Sequence, residues 1–251
     1  RYGSSVPLSW GLAQSNNWVT AGLMSQIDPT GHRLAKIMKD YGVKNPNIYP
    51  SIALCLGPCD VTVGELASAY TAFANGGIRV APLLVTKIED AQGNVIAEFS
   101  PRVNEVISEE SADEMITMLR GVVQSGTAGR LRYKYNLNGP IAGKTGTTQN
   151  QSDGWFMGMV PNLVTGVWVG GEDRSVHFKG IRYGQGATMA LPIWGYYMKK
   201  LYENKDLTVS KDPFPIPKND DGSTSFSGSD FDCKGNDPVE AVGEDSEGID
   251  F

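Results

Sequence analysis

The chain has 251 residues, of which 40% are hydrophobic and 9% aromatic, so it can form one large globular domain or two small ones. Its net charge of −6 and its lack of a dense lysine and arginine stripe argue against nucleic-acid binding. No apolar run reaches the roughly 18 residues needed to span a bilayer, so we expect any membrane anchor to lie outside this sequence.

The first half of the sequence carries the signals of three helices. Their apolar residues recur at three- and four-residue spacing, and small polar residues stand at their starts, where a side-chain oxygen can accept hydrogen bonds from free backbone N–H groups. The predicted helices are residues 15–26, with Ser15 at the start; a short amphipathic helix capped by Thr30 and ended by Gly42; and a helix opened by a capping box between Thr62 and Glu65 and ended by Gly76 and Gly77.

The second half alternates strands and helices. The predicted elements are a hairpin of residues 79–88 and 94–99 around residues 90–94; a helix opened by Ser111 and Glu114; a strand around Lys144 followed by strands 155–160 and 163–169; and a closing helix, 188–204. Helices in runs and antiparallel strands adjacent in sequence predict an α+β fold.

Composition divides the chain near residue 205. We expect residues 1–205 to form one domain and residues 206–251, which are rich in Pro, Gly, Ser and Asp, to form a linker and a flexible acidic tail. Cys55 and Cys59, in Cys-Leu-Gly-Pro-Cys, could close a small disulfide loop or remain two half-buried thiols, and the sequence leaves both open. With only two histidines and no paired ligand spacing, we expect no metal site and no cofactor.

The most informative segment is Lys144-Thr145-Gly146-Thr147. Residues two apart on a strand face the same side, so the hydroxyls of Thr145 and Thr147 are predicted to point together into a cleft. Gly146 lets a second backbone approach closely, and the Lys144 ammonium adds a positive charge. This pattern suits an extended, carboxylate-ended substrate that lies antiparallel to the strand.

Lys-Thr-Gly is also one of the three motifs of the serine acyl-transferases that include penicillin-binding proteins and class A β-lactamases. Ser15-Asn16-Asn17 resembles their Ser-x-Asn motif and precedes Lys144, as in that family. Four further segments resemble the transpeptidase domain of the bifunctional, class A penicillin-binding proteins: residues 50–54, 61–77, 142–148 and 153–158. The resemblance runs from about Pro7 to about Met198. It implies an antiparallel sheet flanked by helices, of the serine β-lactamase and D,D-peptidase type.

The third family motif, Ser-x-x-Lys with the nucleophile, is missing. No serine in the sequence has a lysine three residues later, and the family places this motif before Ser-x-Asn. We therefore expect a fragment, incomplete on its N-terminal side, whose nucleophile and membrane anchor lie on the absent part. A genuine pseudo-enzyme is the less favoured alternative.

The resemblance also implies roles for the site residues. Ser15 would relay protons to the leaving amine, Asn17 would hold the substrate backbone, and Lys144 would favour the developing negative charge. Thr145 and Thr147 would bind the substrate carboxylate, and the Thr147 N–H would be one of two oxyanion donors. The plainer alternatives are that Ser15 is only a helix cap, that Asn17 is a solvated helix residue, and that Lys144 is a surface lysine on an edge strand.

The function implied is that of a peptidoglycan D,D-transpeptidase, which cross-links stem peptides ending in D-Ala-D-Ala through a serine acyl-enzyme and is a target of β-lactams. We expect it on the periplasmic face of the bacterial inner membrane, in a parent protein that can also carry a glycosyltransferase, and we expect the fragment alone to be inactive. The sequence leaves open a D,D-carboxypeptidase or a non-catalytic binding module, whereas Ser-Asn-Asn disfavours a β-lactamase.

Two further features are candidate binding elements. Arg130 and Arg132 could contact an anionic cell-wall peptide, but a solvated loop is favoured. Residues 125–129, Ser-Gly-Thr-Ala-Gly, have the glycine spacing of a phosphate loop but lack its Lys-Ser/Thr, so a connecting loop explains them better.

Overall fold

The computed structural model describes residues 5–215, in which helices and short antiparallel strands follow one another along the chain. The helices are α1 Leu8–Ala13, α2 Asn17–Ile27, α3 His32–Asp40, α4 Val63–Ala74, α5 Glu109–Gln124, α6 Arg130–Tyr133, α7 Ile181–Gly184 and α8 Ala190–Glu203, with 3-10 helices at Ile52–Leu56 and Gln149–Gln151. The strands are β1 Ile78–Val80, β2 Lys87–Glu89, β3 Val95–Glu98, β4 Val103–Glu105, β5 Ala142–Thr147, β6 Asp153–Val160 and β7 Leu163–Gly170. The predicted α+β fold class is confirmed.

The central sheet consists of β5, β6 and β7, in that order and all antiparallel. β6 is the middle strand and is almost wholly buried, in agreement with its nearly continuous apolar sequence. It turns directly into β7 at Pro161 and Asn162, between the two predicted strands. β5 therefore has one edge paired to β6, and no described strand pairs with its other edge.

Helices α5 and α8 cover the sheet and form the main core with it. Trp194 of α8 is fully buried and meets the ring of Phe156 edge-on, with ring centroids 5.2 Å apart. The helix comes this close because β6 carries a glycine opposite the indole: a Cβ on Gly158 would lie 2.3 Å from the Trp194 ring. The predicted closing helix, α8, thus packs closely against the sheet.

Two small antiparallel pairs lie outside the central sheet. β2 and β3 form the predicted hairpin, closed by the Asp90 carboxylate, which accepts hydrogen bonds from the N–H groups of Gln92 and Asn94. The prediction that the first strand begins at residue 79 is wrong, because β1 pairs with β4 instead. Pro82, which has no N–H to donate to a ladder, separates β1 from the hairpin.

The predicted helix starts were correct in one case. Thr62 and Glu65 form the expected reciprocal capping box at the start of α4. The other helices use a neighbouring side chain or backbone: α2 is capped by Asn16 rather than Ser15, α3 begins after Gly31 rather than Thr30, and α5 is capped by Ser108 rather than opened by Ser111. In each case a second capable residue stands within three positions, so the local pattern was ambiguous.

The segment after α8 returns to the core as far as it is described. The side-chain amide of Asn162 donates to the carbonyl of Thr208 and accepts from the N–H of Ser210. Phe214 is 2% exposed and packs in the main core. Most of the predicted linker and acidic tail, from residue 216 onward, lies outside the described residues, and its flexibility stays a prediction.

Cys55 and Cys59 are free thiols in this structure, so the disulfide alternative is not the one adopted. Burial raises the pKa of each thiol above its ordinary value. Within residues 5–215, no helix combines the length and apolar character needed to cross a bilayer.

Candidate active site

Lys144 and Ser15, 129 residues apart in sequence, meet in the structure. The Nζ of Lys144 donates a hydrogen bond to the Ser15 hydroxyl at 2.7 Å and to the carbonyl of Thr145 at 3.0 Å. The resemblance predicted that these two motifs share one site, and the fold brings them together. Burial of Lys144 lowers the pKa of its ammonium from 10.5 to about 8.

Ser15 lies in the tight turn between α1 and α2. Its φ of 54° is left-handed, which is uncommon for a residue other than glycine, and its side chain is exposed. Asn16, which the sequence analysis left without a role, caps α2 by accepting hydrogen bonds from the N–H groups of Trp18 and Val19. The alternative that Ser15 is only a helix cap is therefore wrong, and its hydroxyl is left for Lys144.

Asn17 is the first residue of α2 and is exposed beside Ser15. Its predicted role toward a substrate backbone stays a prediction. The preference of asparagine for helix caps is the signal that could have revealed the role of Asn16.

The open edge of β5 presents backbone groups at two residues of the third motif. Thr148 donates its N–H to the carbonyl of Asp153 at 3.3 Å, so Thr148 and Asp153 form a hydrogen-bonded pair. Hydrogen-bonded and non-hydrogen-bonded pairs alternate along an antiparallel ladder, so the pairs of Thr147 and Thr145 are non-hydrogen-bonded toward β6. Their N–H and C=O groups face the open edge, where the Thr145 carbonyl meets Lys144.

The two threonine side chains, which were predicted to point together into a cleft, differ in exposure and in hydrogen-bond partner. Thr145 is only 9% exposed, and its hydroxyl lies 2.7 Å from that of Thr127. Thr147 is exposed, and its hydroxyl accepts a hydrogen bond from the N–H of Gly186 at 3.0 Å. The loop after α5 covers the Thr145 side chain, so of the two hydroxyls only that of Thr147 lies at the surface.

Gly146 was predicted to admit a second backbone, and a backbone does approach there, at Gly186. A Cβ on Gly186 would lie 2.3 Å from the Gly146 carbonyl oxygen. The end of β5 is thus packed against the segment that leads into α8. Whether a substrate backbone also approaches Gly146 stays a prediction.

Three residues near the site pack against or bond to neighbouring elements. Phe156 is fully buried beneath β5, and Trp155 lies beside Trp168 on the neighbouring strand. Arg132 donates to the carbonyls of Leu137 and Gly139 at 2.6 and 2.7 Å, so its guanidinium holds the loop before β5. The favoured interpretation, a solvated loop, is wrong for Arg132, because this residue is half-buried and bonded to two backbone carbonyls.

Residues 2–172 match the family model of the penicillin-binding protein transpeptidase domain. The chain is 38% identical over 212 residues to penicillin-binding protein 1A of Aquifex aeolicus, an alignment that covers 83% of this chain and 28% of that protein. It is 33% identical over 226 residues to penicillin-binding protein 1A of Neisseria flavescens, covering 87% and 27%. The chain therefore belongs to the penicillin-binding protein transpeptidase family, and it spans about a quarter of the length of these relatives.

Solved structures agree with this assignment. A crystal structure of penicillin-binding protein 1A from Haemophilus influenzae superposes with a TM-score of 0.74 at 26% identity, covering 91% of this chain and 40% of that one. PonA1 from Mycobacterium tuberculosis in complex with penicillin V superposes with a TM-score of 0.69 at 25% identity, covering 88% and 63%. The predicted likeness to class A penicillin-binding proteins and the predicted type of fold are confirmed.

Proposed function

We propose that this chain supplies the Ser-x-Asn and Lys-Thr-Gly parts of the acyl-transfer site of a peptidoglycan D,D-transpeptidase. The observation that carries the proposal is the 2.7 Å hydrogen bond between Lys144 and Ser15, which joins two motifs of that chemistry. Membership of the transpeptidase family supports the assignment of reaction class. The substrate is then a stem peptide ending in D-Ala-D-Ala, and β-lactams acylate the same site.

Lys144 and Ser15 together handle the proton that the leaving amine requires. Near neutral pH the Lys144 ammonium, with a pKa of about 8, donates to the Ser15 oxygen and leaves the Ser15 hydroxyl proton free to point at the amine nitrogen. As Ser15 gives that proton to the amine, Lys144 returns one to Ser15. A lysine pKa this close to neutrality lowers the free energy required for the return step.

The edge of β5 binds the substrate. An extended peptide can pair with the outward-facing N–H and C=O groups of Thr145 and Thr147, as a strand added to the sheet. The N–H of Thr147 is the proposed oxyanion donor, and the exposed Thr147 hydroxyl together with the Lys144 charge receives the terminal carboxylate. Thr145 takes part through its backbone, because its side chain is buried against Thr127.

We expect acyl-transfer activity only in the whole protein, because one of the three motifs is missing from this chain. No Ser-x-x-Lys occurs among the 251 residues, so we place the nucleophile on polypeptide beyond them and expect this chain alone to be unreactive. That further polypeptide is also the proposed carrier of a membrane anchor at the periplasmic face. A non-catalytic peptide-binding module is the second candidate, favoured by the same missing motif.

Fluorescent-penicillin labelling tests the proposal. The full-length protein should be labelled, its Lys144→Ala variant should lose most labelling, and the 251-residue chain should not be labelled. Lys36→Ala is the matched control, because Lys36 is an exposed lysine whose partner is Asp40 on the same helix. Absence of labelling in a folded full-length protein would support the binding module, and stoichiometric labelling of the 251-residue chain would refute the placement of the nucleophile.

A further inference from the structure

The loop that follows α5, residues 125–127, holds the turn that carries Ser15. The N–H of Thr127 donates to the carbonyl of Ala13 at 3.1 Å. The side-chain amide of Gln14 donates to the carbonyl of Ser125 at 3.2 Å. These two bonds attach the end of α1, immediately before Ser15, to the loop of residues 125–127.

The same loop also holds β5. The Thr127 hydroxyl lies 2.7 Å from the Thr145 hydroxyl, and Thr145 is 9% exposed, so this pair is partly shielded from competing water. Thr145 is the chain neighbour of Lys144 and provides the carbonyl that the Lys144 ammonium binds. The backbone and the side chain of one residue, Thr127, thus contact both motif segments.

The packing around the loop leaves little room for adjustment. A Cβ on Gly126 would lie 2.3 Å from the Ala13 carbonyl oxygen and 2.9 Å from the Cα of Val122. The loop backbone is therefore pressed directly against the end of α1 and against α5. A shift of β5 relative to this loop changes the distance between Lys144 and Ser15.

We propose that Thr127 is a positioning residue of the acyl-transfer site, holding β5 and the Ser15 turn where Lys144 Nζ reaches Ser15 Oγ. The Thr127 hydroxyl fixes the strand through Thr145, and the Thr127 N–H fixes the turn through Ala13. This inference rests on the proposed function. It gives a role in the site to residues 125–129, which the sequence pattern indicates only as a connecting loop.

The test is the rate of acylation of the full-length protein by fluorescent penicillin. Thr127→Val, which keeps the side-chain shape and removes the hydroxyl, should slow the acylation step by about tenfold, or about 1.4 kcal/mol in activation free energy. The dissociation constant of the non-covalent penicillin complex should change little, because the proposed penicillin contacts are made by the edge groups of β5, by Lys144 and by the Thr147 hydroxyl. Thr127→Ser, which keeps the hydroxyl, should recover most of the rate.

Thr71→Val is the matched control for a loss of stability alone. The Thr71 hydroxyl also makes two partly buried hydrogen bonds, to the carbonyl of Ser68 and from the N–H of Val80, but between α4 and β1, away from the site. This variant should melt at a lower temperature and label at the parental rate. A loss of rate in both variants in proportion to their melting temperatures would overturn the positioning role.

The double variant Thr127→Val/Thr145→Val decides the case if Thr127→Val folds poorly. It leaves no unpaired buried hydroxyl, so it should fold close to normally, yet it should acylate as slowly as the single variant. Acylation of the folded double variant at the parental rate would refute the inference while leaving the proposed function intact. Failure of the parental protein itself to label would instead refute the proposed function.

Discussion

Replacement of Lys144 by methionine should stabilise the fold at neutral pH. The pKa of Lys144 falls from 10.5 to about 8, so folding disfavours its charged form by about 3 kcal/mol. Methionine has a similar length and no charge, but it gives up the two bonds to Ser15 and to the Thr145 carbonyl, at a total cost of about 2 kcal/mol. The expected gain for Lys144→Met at pH 7 is therefore about 1 kcal/mol.

The gain should disappear as the pH rises. Below pH 8 the lysine is charged in both the folded and the unfolded chain, so the full penalty is present. Between a folded-state pKa of about 8 and an unfolded value of 10.5, the unfolded chain binds more protons than the folded one, so the stability of the parental chain rises with pH. Above that window the lysine is neutral in both states and the variant has lost its advantage.

Urea unfolding of the parental chain and of Lys144→Met, followed by circular dichroism across this pH window, measures the difference directly. Other titrating groups affect both proteins equally and cancel. Lys36→Met is the matched control, since it makes the same replacement at an exposed helix residue whose ionic partner is Asp40 of the same helix. A Lys144→Met variant that is less stable at pH 7, or a difference that does not change with pH, would refute the view that Lys144 is held charged at a cost.

Three further substitutions test the packing that supports the site, each measured by urea unfolding. Gly158→Ala places a methyl group 2.3 Å from the Trp194 ring and should cost about 3 kcal/mol, whereas Gly64→Ala, which meets nothing within 4 Å, should stabilise α4 by about 0.5 kcal/mol. Asn16→Ala removes the cap of α2 and should cost about 1 kcal/mol, and Asn16→Asp should not. Phe214→Ala should cost about 3 kcal/mol if the segment after α8 belongs to the core, and an unchanged midpoint would contradict that.

Local sequence signals predicted the elements better than their boundaries. The capping box at Thr62 was found because both of its partners lie within one turn of helix, so nothing outside the segment competes with them. The starts of α2 and α5 were misplaced because several residues that can cap a helix are adjacent, and tertiary contacts decide among them. The hairpin was extended too far because pairing of β1 with β4 is a non-local choice.

The candidate site was less accessible to reasoning from residues alone. The pairing of Lys144 with Ser15 was expected only from the family resemblance, because no local pattern relates residues 129 positions apart. Strand periodicity predicts that Thr145 and Thr147 share one face of β5, but it does not show which of them another loop covers. The burial of Thr145 depends on Thr127, which belongs to a different segment.

The geometry of Lys144 therefore depends on segments from three parts of the chain. The turn at Ser15 provides its hydrogen-bond partner, residues 125–127 hold β5 from one side, and Gly186 packs on the end of the strand at Gly146. Since β5 has a single described strand neighbour, these loop contacts replace the ladder that a second neighbour would provide. They fix the position of β5 and leave its other edge without a described strand partner, which is why we propose that the hydroxyl pair of Thr127 and Thr145 affects acyl transfer.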